Sequence, residues 1–349
     1  MKRFIIKALA FTLPFFLLYL LNLFFYDIND GDLTRIGYLY SNPTPNKSIN
    51  EVYRIKKKYT QISSLDLSKK HQFDVLVIGD SFSDQDSLGY QNFLADKGIS
   101  VLDMDKKLYP NPIHQLAKLA NGNFFDNVKT DFVILESVER NFTDYATNSN
   151  FLSVLNIETL KQDLKLLKKE KHKNKLDFFS ETTIKVPLTN ILYQFQDKPQ
   201  TSKTYKTSTL TNNLFSNQPD HVLFFEDDLL LFQAKNDSLS LQKSNQVLNK
   251  IYNQLKKKNI TLIVVIAPDK YDLYYSYIKD KTTYPQPIFS HRFNELPKDY
   301  NYLKSFEALS SAIKKKKNVY YYADTHWSPI GAKIIADELH KIIKTQSNY

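Results

Sequence analysis

The stretch "VLVIGDSFSD" at residues 75–84 decides how this chain is read. Branched apolar residues run without a break into a glycine, an acid and a serine. A short apolar run with no polar alternation is the pattern of a strand buried on both faces, as in a parallel sheet covered by helices. Gly79 permits a tight turn at the strand's end, and Asp80 and Ser81 stand where the next helix would open. Open α/β sheets form their ligand crevice at the carboxyl ends of strands, and the free amides of a helix start can face an oxyanion. Ser81 is therefore placed where a serine nucleophile is needed. The same residues also make a plain strand, turn and cap, since Asp and Ser are the commonest N-caps. The segment alone does not choose between the two.

The flanking pattern supports the strand. A helix ending at Gly98, a second strand in "ISVLDMD" (99–105), a helix over 112–122 and a third strand over 131–138 follow in turn. The third strand runs into a polar loop, "ERN". This β-α-β-α-β order implies a parallel sheet with right-handed crossovers. Residues 145–240 are rich in lysine and asparagine, with one amphipathic helix at about 157–171, and read as an insertion of helices and loops. Order resumes with a helix at 244–258 and a strand at 260–267. Helical pieces follow near 271–277 and 302–315, then a strand at 318–322 and a last helix at 329–343. The expected division is an anchor at 1–26, a stalk at 27–70 with a Pro/Asn/Ser-rich stretch at 41–50, and an α/β domain at 71–349.

Composition narrows the chemistry. The 349 residues include no cysteine, which excludes a thiol nucleophile, disulfides and a cysteine-based zinc site. No Walker or dinucleotide motif is present, so neither a nucleotide cofactor nor a metal is expected. The net charge is +10. Two of its lysine runs, at 256–258 and 314–317, fall at the ends of amphipathic helices, where lysine complements the helix dipole. The charge reads as solvated surface, not as a nucleic-acid footprint. Abundant Tyr and Phe suit a sugar-facing cleft and suit ordinary packing more.

Lys2, Arg3 and Lys7 precede an uncharged apolar run at 8–26, and Asp27, Asp30 and Asp32 follow it. At about 1.5 Å per residue the run spans roughly 28 Å, close to a bilayer core. The charge order places the N-terminus in the cytoplasm and the rest outside. The run is long for a signal peptide and no small-x-small site follows it, which favours an uncleaved anchor.

A serine needs a base. His71, His114, His172, His221 and His291 lie in polar or helical surroundings, and His340 lies on a helix surface. His326 stands apart. It lies in "YYYADTHWSPIGA" (320–332), between the last expected strand and the last helix, with Asp324 two residues before it. In an extended loop such residues project to the same side. A carboxylate there can hold the imidazole Nδ1–H and leave Nε2 to take a serine proton. A structural histidine beside a capping aspartate is the plainer reading. The expected position at the same sheet edge as Ser81 favours the catalytic one. Trp327 would wall the site or pack the loop.

"GDSF" after an apolar strand and "DTHW" before the last helix together resemble the SGNH/GDSL hydrolase superfamily, and more narrowly its alginate O-acetyltransferase-like, DHHW-type branch. "VVIAPDKYDLYYSYI" (264–278) and "VILESVERN" (133–141) are similar to that branch as well. The likeness covers about 73–141 and 244–343. It implies a three-layer, flavodoxin-like fold and a Ser81–His326–Asp324 triad that moves acetyl groups on or off polysaccharide hydroxyls outside the cytoplasm. A multi-span membrane acyltransferase would often supply the acetyl group. The chain departs from the family in two ways. The alginate enzymes place the Asp-x-His before the serine, whereas here the serine comes first. The usual oxyanion Gly and Gly-x-Asn-Asp blocks are absent, with "YPNP" (109–112) and "ERN" (139–141) in their places. Asn111, Arg140 and Asn141 are candidates for oxyanion or acyl positioning, and each is equally a loop hydrogen-bonder. Lys270 is a candidate against a plain surface lysine. The expected function is O-acetyl transfer to a cell-surface or exported polysaccharide. A glycan esterase with the same triad and a non-catalytic glycan- or partner-binding component are the rivals.

Overall fold

The computed structural model describes residues 1–41, 44–149, 153–167, 175–230 and 236–347. Its strands are β1 (Thr60–Gln61), β2 (His71–Ile78), β3 (Val101–Asp103), β4 (Val128–Val138), β5 (Thr204–Ser208), β6 (His221–Phe225), β7 (Thr261–Ala267) and β8 (Asn301–Leu303). Six of them form one sheet in the order β1-β3-β2-β4-β7-β8, and every pairing is parallel. From β2 the chain crosses to β3 on one side and then to β4 on the other. The carboxyl ends of β2 and β4 thus border the switch point where such sheets open a crevice.

Alternate strand residues feed two cores. Val75, Val77, Ile134, Ile263 and Val265 face one side, with Phe93 and Leu94 of the helix Tyr90–Asp96 and Ile335, Ala336 and Leu339 of the helix Pro329–Ser347. Leu76, Ile78, Val133, Leu135, Leu262 and Val264 face the other, against Ile113 and Leu116 of Pro112–Asn121 and Leu248 and Ile251 of Ser238–Lys256. The result is helix, sheet, helix. Both strand faces are apolar because both are covered. The helix before β3 stops at Gly98, whose φ of +87° reverses the chain as few other residues could.

The N-terminal helix, Lys2–Phe25, is long and apolar enough to cross a membrane. Its end packs on the helix Glu181–Leu192, where Asn22 Nδ2 donates to the Thr183 carbonyl at 2.8 Å.

Several expectations need correction. Residues 318–322 form no sheet strand. Tyr320 and Trp327 make a single antiparallel bridge, and Tyr321 N–H donates to the His326 carbonyl, while the Tyr320 N–H goes to Tyr274 Oη and the Tyr321 and Tyr322 carbonyls to Lys270, so no neighbouring strand pairs with this segment. The outer strand is the three-residue β8, at the start of the stretch expected to be helical; the helix there is Ser305–Ile313. The "ERN" loop is the first turn of a helix, Glu139–Thr147. The insertion holds a β-hairpin, β5 with β6, besides helices Ile157–Leu166 and Glu181–Leu192. Residues 168–171, the expected end of the first of these helices, and His172 lie outside the described residues. Residues 27–70 do not stand off as a stalk. They include helices Asp32–Gly37 and Thr44–Tyr53, a fully buried Leu33 and the edge strand β1.

Candidate active site

The turn after β2 is tied down by carboxylates. Asp80 Oδ1 accepts from the Phe82 N–H at 3.1 Å, and its Oδ2 accepts from the Val138 N–H at 2.7 Å, linking the ends of β2 and β4. Glu136 Oε2 accepts from the Asp80 N–H (3.1 Å) and from Ser83 Oγ (2.8 Å). Burial, and then the neighbouring Asp80, push the Glu136 carboxyl well above the usual range. Gly79 is required by this close approach. A Cβ there would lie 2.0 Å from Ser83 Oγ and 2.6 Å from Glu136 Oε2. Ser81 opens a three-residue 3-10 turn, Ser81–Ser83, and not the α-helix expected; that helix starts only at Tyr90. The single turn leaves the serine at the sheet's crevice edge.

The histidine loop meets this turn. His326 Nδ1 lies 2.5 Å from Asp324 Oδ1, which also accepts from the His326 N–H at 3.0 Å. The carboxylate fixes the ring and makes Nδ1 its proton-bearing nitrogen. Nε2 is buried and has no hydrogen-bond partner among the described residues. The Phe82 ring, next to Ser81, lies 4.7 Å from the imidazole and 4.7 Å from the Trp327 indole. Gln85 Nε2 donates to the Trp327 carbonyl at 2.8 Å. The serine turn and the Asp-x-His loop are thus packed together through residues adjoining Ser81. No hydrogen bond joins Ser81 Oγ to Nε2; such bonds are often long without substrate and tighten when it binds. Trp327, of the histidine loop, is fully buried with its indole edge-on to the Phe82 ring.

Burial pulls the His326 pKa down, but Asp324, by its charge and hydrogen bond, and Asp32 outweigh that and leave it above the usual 6.5. Burial raises Asp324, yet His326 holds its carboxyl well below the ordinary range.

Asp32 is the residue that sequence reasoning missed. It accepts from the Thr325 N–H at 2.8 Å and from Thr325 Oγ1, while its own N–H donates to Asp324 Oδ2 at 3.2 Å. It lies 3.8 Å from His326 Nδ1. Burial, then Asp324, raises its pKa. No local pattern marks Asp32, which is nearly three hundred residues from its partners. Asp32, Asp324 and His326 are close enough to consider for a cation, but Nδ1 and Asp324 Oδ1 are already engaged with each other.

The remaining candidates hold the scaffold. Lys270 is fully buried, not a surface lysine. Its Nζ donates to the carbonyls of Tyr321 (2.7 Å), Tyr322 (2.6 Å) and Asp324 (3.1 Å), clamping the histidine loop. Burial pulls its pKa down to about 7, against Asp324 and Asp32. Arg140 pairs with Asp269 at 2.8 Å and Asp228 at 3.5 Å. Asn141 Nδ2 donates to Tyr145 Oη at 3.3 Å. Asn111 caps the helix Pro112–Asn121 by accepting from the His114 N–H, and donates to the Tyr145 carbonyl. Among the other histidines, His221 has an acid beside it, its Nδ1 2.8 Å from Asp220 Oδ1.

Residues 219–349 match the family model described as an SGNH hydrolase-like domain, acetyltransferase AlgX. This is the branch that "GDSF" and "DTHW" resemble. The matched stretch holds Lys270, Asp324, His326 and Trp327 and stops short of the serine turn. The match supports an SGNH-type acetyltransferase or hydrolase activity. No curated protein and no solved structure matches the chain.

Proposed function

We propose that this chain is a membrane-anchored O-acetyltransferase that acts outside the cytoplasm on hydroxyls of a cell-surface or exported polysaccharide. The carrying observation is the buried Asp324–His326 pair, its Nε2 unbonded, packed through Phe82 against the turn of Ser81.

Ser81 Oγ attacks the acetyl carbonyl of a donor ester while His326 Nε2 takes the hydroxyl proton. The tetrahedral oxyanion faces the Ser81 amide; the neighbouring Phe82 and Asp80 amides already serve Asp80 and Glu136. His326 returns the proton to the leaving oxygen, which departs as an alcohol and leaves acetyl-Ser81. A sugar hydroxyl then attacks this ester, gives its proton to Nε2, and forms the O-acetyl sugar. The proton goes back to Ser81. Asp324 keeps the imidazole oriented and stabilises the imidazolium. The donor would come from a multi-span membrane acyltransferase. Lys2, Arg3 and Lys7 at the start of the apolar helix, ahead of its uncharged run, would keep the N-terminus in the cytoplasm.

The test incubates the purified full-length chain with an acetyl ester, with and without a polysaccharide acceptor. Acetylated sugar from the native chain and none from Ser81→Ala is the expected result. Acetate release without acylated sugar would mean hydrolysis instead. Acetylation in cells that survives Ser81→Ala would mean a binding component.

A further inference from the structure

The helix Glu181–Leu192 is inside out for a soluble protein. It buries Thr183, Val186 and Thr189 against the domain. Its outer face carries Ile184, Leu188 and Ile191, continued by Phe195, with exposures of 50, 46, 59 and 82 %. Steps of four, three and four residues place them in one stripe. Phe179, just before the helix, is 86 % exposed. An apolar stripe of this length on a soluble surface marks an interface.

Its surroundings identify the occupant. Phe178 packs against Tyr19 (ring centroids 5.2 Å) and Phe16 (6.3 Å) of the N-terminal helix, and Thr183 accepts from Asn22. Phe16 and Asn22 lie about 14 Å and 5 Å before the helix's end at Phe25, at 1.5 Å per residue. The contact is therefore within the apolar span and not beyond it. Whatever solvates the N-terminal helix at that depth also bathes the stripe. Glu181 and Lys185, on the stripe's flank, pair with each other at 2.8 Å, and Lys185 Nζ lies 5.3 Å from the Tyr38 ring. The pair is self-neutralised and long enough to reach the headgroup layer.

We propose that residues 178–195 form a ledge immersed in the lipid bilayer, with the Ile184–Leu188–Ile191–Phe195 stripe among the acyl chains of the leaflet on the domain's side. The ledge also tethers the catalytic loop near the bilayer. Only nine residues lie between Asn22 and Asp32, which bonds Thr325 and Asp324, so the site lies within about 35 Å of the ledge contact along the chain. The site thereby serves a donor or acceptor presented at the bilayer surface. This inference rests on the N-terminal helix being a membrane anchor.

The chain has no cysteine, so a single substitution carries its only thiol. Full-length Leu13→Cys, Leu188→Cys, Phe195→Cys and Thr345→Cys are labelled in detergent with an environment-sensitive fluorophore. They are then placed in phosphatidylcholine vesicles with or without lipids bearing nitroxides on their acyl chains. Unlabelled samples are treated with a water-soluble maleimide. The expected result is that Leu13, Leu188 and Phe195 lose most of their fluorescence to the nitroxide lipids and resist the maleimide, while Thr345 does neither. Quenching at Leu13 without quenching at Leu188 and Phe195 overturns the ledge and leaves the anchor standing. No quenching at Leu13 overturns the anchor and the ledge with it. Protection of Leu188 and Phe195 without quenching means that protein covers the stripe, and also overturns the proposal. The two stripe positions guard against one substitution that disturbs folding.

Discussion

At the scale of single residues, the site is governed by charge held out of water. His326 must be neutral to accept a proton, and Asp324 and Asp32 together hold its pKa above 6.5. The kcat/KM for acetyl-ester cleavage should therefore rise with pH through a midpoint above 6.5. Asp32→Asn removes one of the two raising charges and should move that midpoint down; an unmoved midpoint would show that Asp32 does not act on the imidazole. Stability runs the other way. A histidine whose folded pKa lies above its unfolded value stabilises the fold fully below about 6.5, and this contribution is lost as pH rises through the folded value. The loop should thus loosen over the window in which activity appears. Gly79→Ala tests the serine turn. The added Cβ meets Ser83 Oγ and Glu136 Oε2, so the substitution should cost about 1–3 kcal/mol in chemical denaturation and remove most of the activity. Lys270→Met leaves the carbonyls of Tyr321, Tyr322 and Asp324 without their donor; at about 1–3 kcal/mol for each such group it should destabilise the fold strongly. A Lys270→Met chain with an unchanged denaturation midpoint would exclude the clamp.

At the scale of elements, the strands that were legible are those buried on both faces. β2, β4 and β7 carry uninterrupted apolar runs, because each contributes alternate residues to two cores, and such runs are readable without knowledge of partners. β1 and β8, at two and three residues, carry no readable period and exist because a neighbour pairs with them. The 318–322 segment has strand composition but its polar groups are met by its own loop and by side chains such as Lys270 and Tyr274 and not by a neighbouring strand, so composition misleads there. The same division applies to the site. Ser81, Asp324 and His326 announce themselves by short spacing, whereas Asp32, Glu136 and the buried state of Lys270 come only from tertiary contact. The short helix Asp32–Gly37 shows how far such a contact reaches. Its Leu33 is fully buried with Leu39, Tyr193 and Leu223, and its N-terminal residue holds the histidine loop. Leu33→Ala should cost about 2–5 kcal/mol, as should Leu255→Ala in the core on the far side of the sheet. Only the first should also lower kcat under conditions where both chains remain folded. Equal kcat values would mean that the helix merely fills space.

At the scale of the whole molecule, the N-terminal helix, the insertion and the catalytic loop are parts of one connected body. Asn22 joins the first two, and Leu33, whose N–H donates to the Ala323 carbonyl, joins the chain after the N-terminal helix to the loop before Asp324. An activity built this way has two separable parts. On the proposed function, the chemistry of Ser81 and His326 would depend on local contacts, while delivery of a membrane-borne substrate would depend on how the body sits on the bilayer. The double substitution Leu188→Lys and Ile191→Lys puts two charges on the exposed apolar stripe, at side chains that the fold does not bury. Charges in hydrocarbon are costly, so the stripe should lift toward the headgroups and tilt the body with it. The variant should therefore keep its kcat/KM on a small soluble acetyl ester, which doubles as evidence of folding, and lose acetylation of glycan in intact membranes. If both activities persist, the substrate reaches Ser81 without help from the bilayer's position. If both are lost together, the stripe supports the fold of the catalytic loop and not its placement.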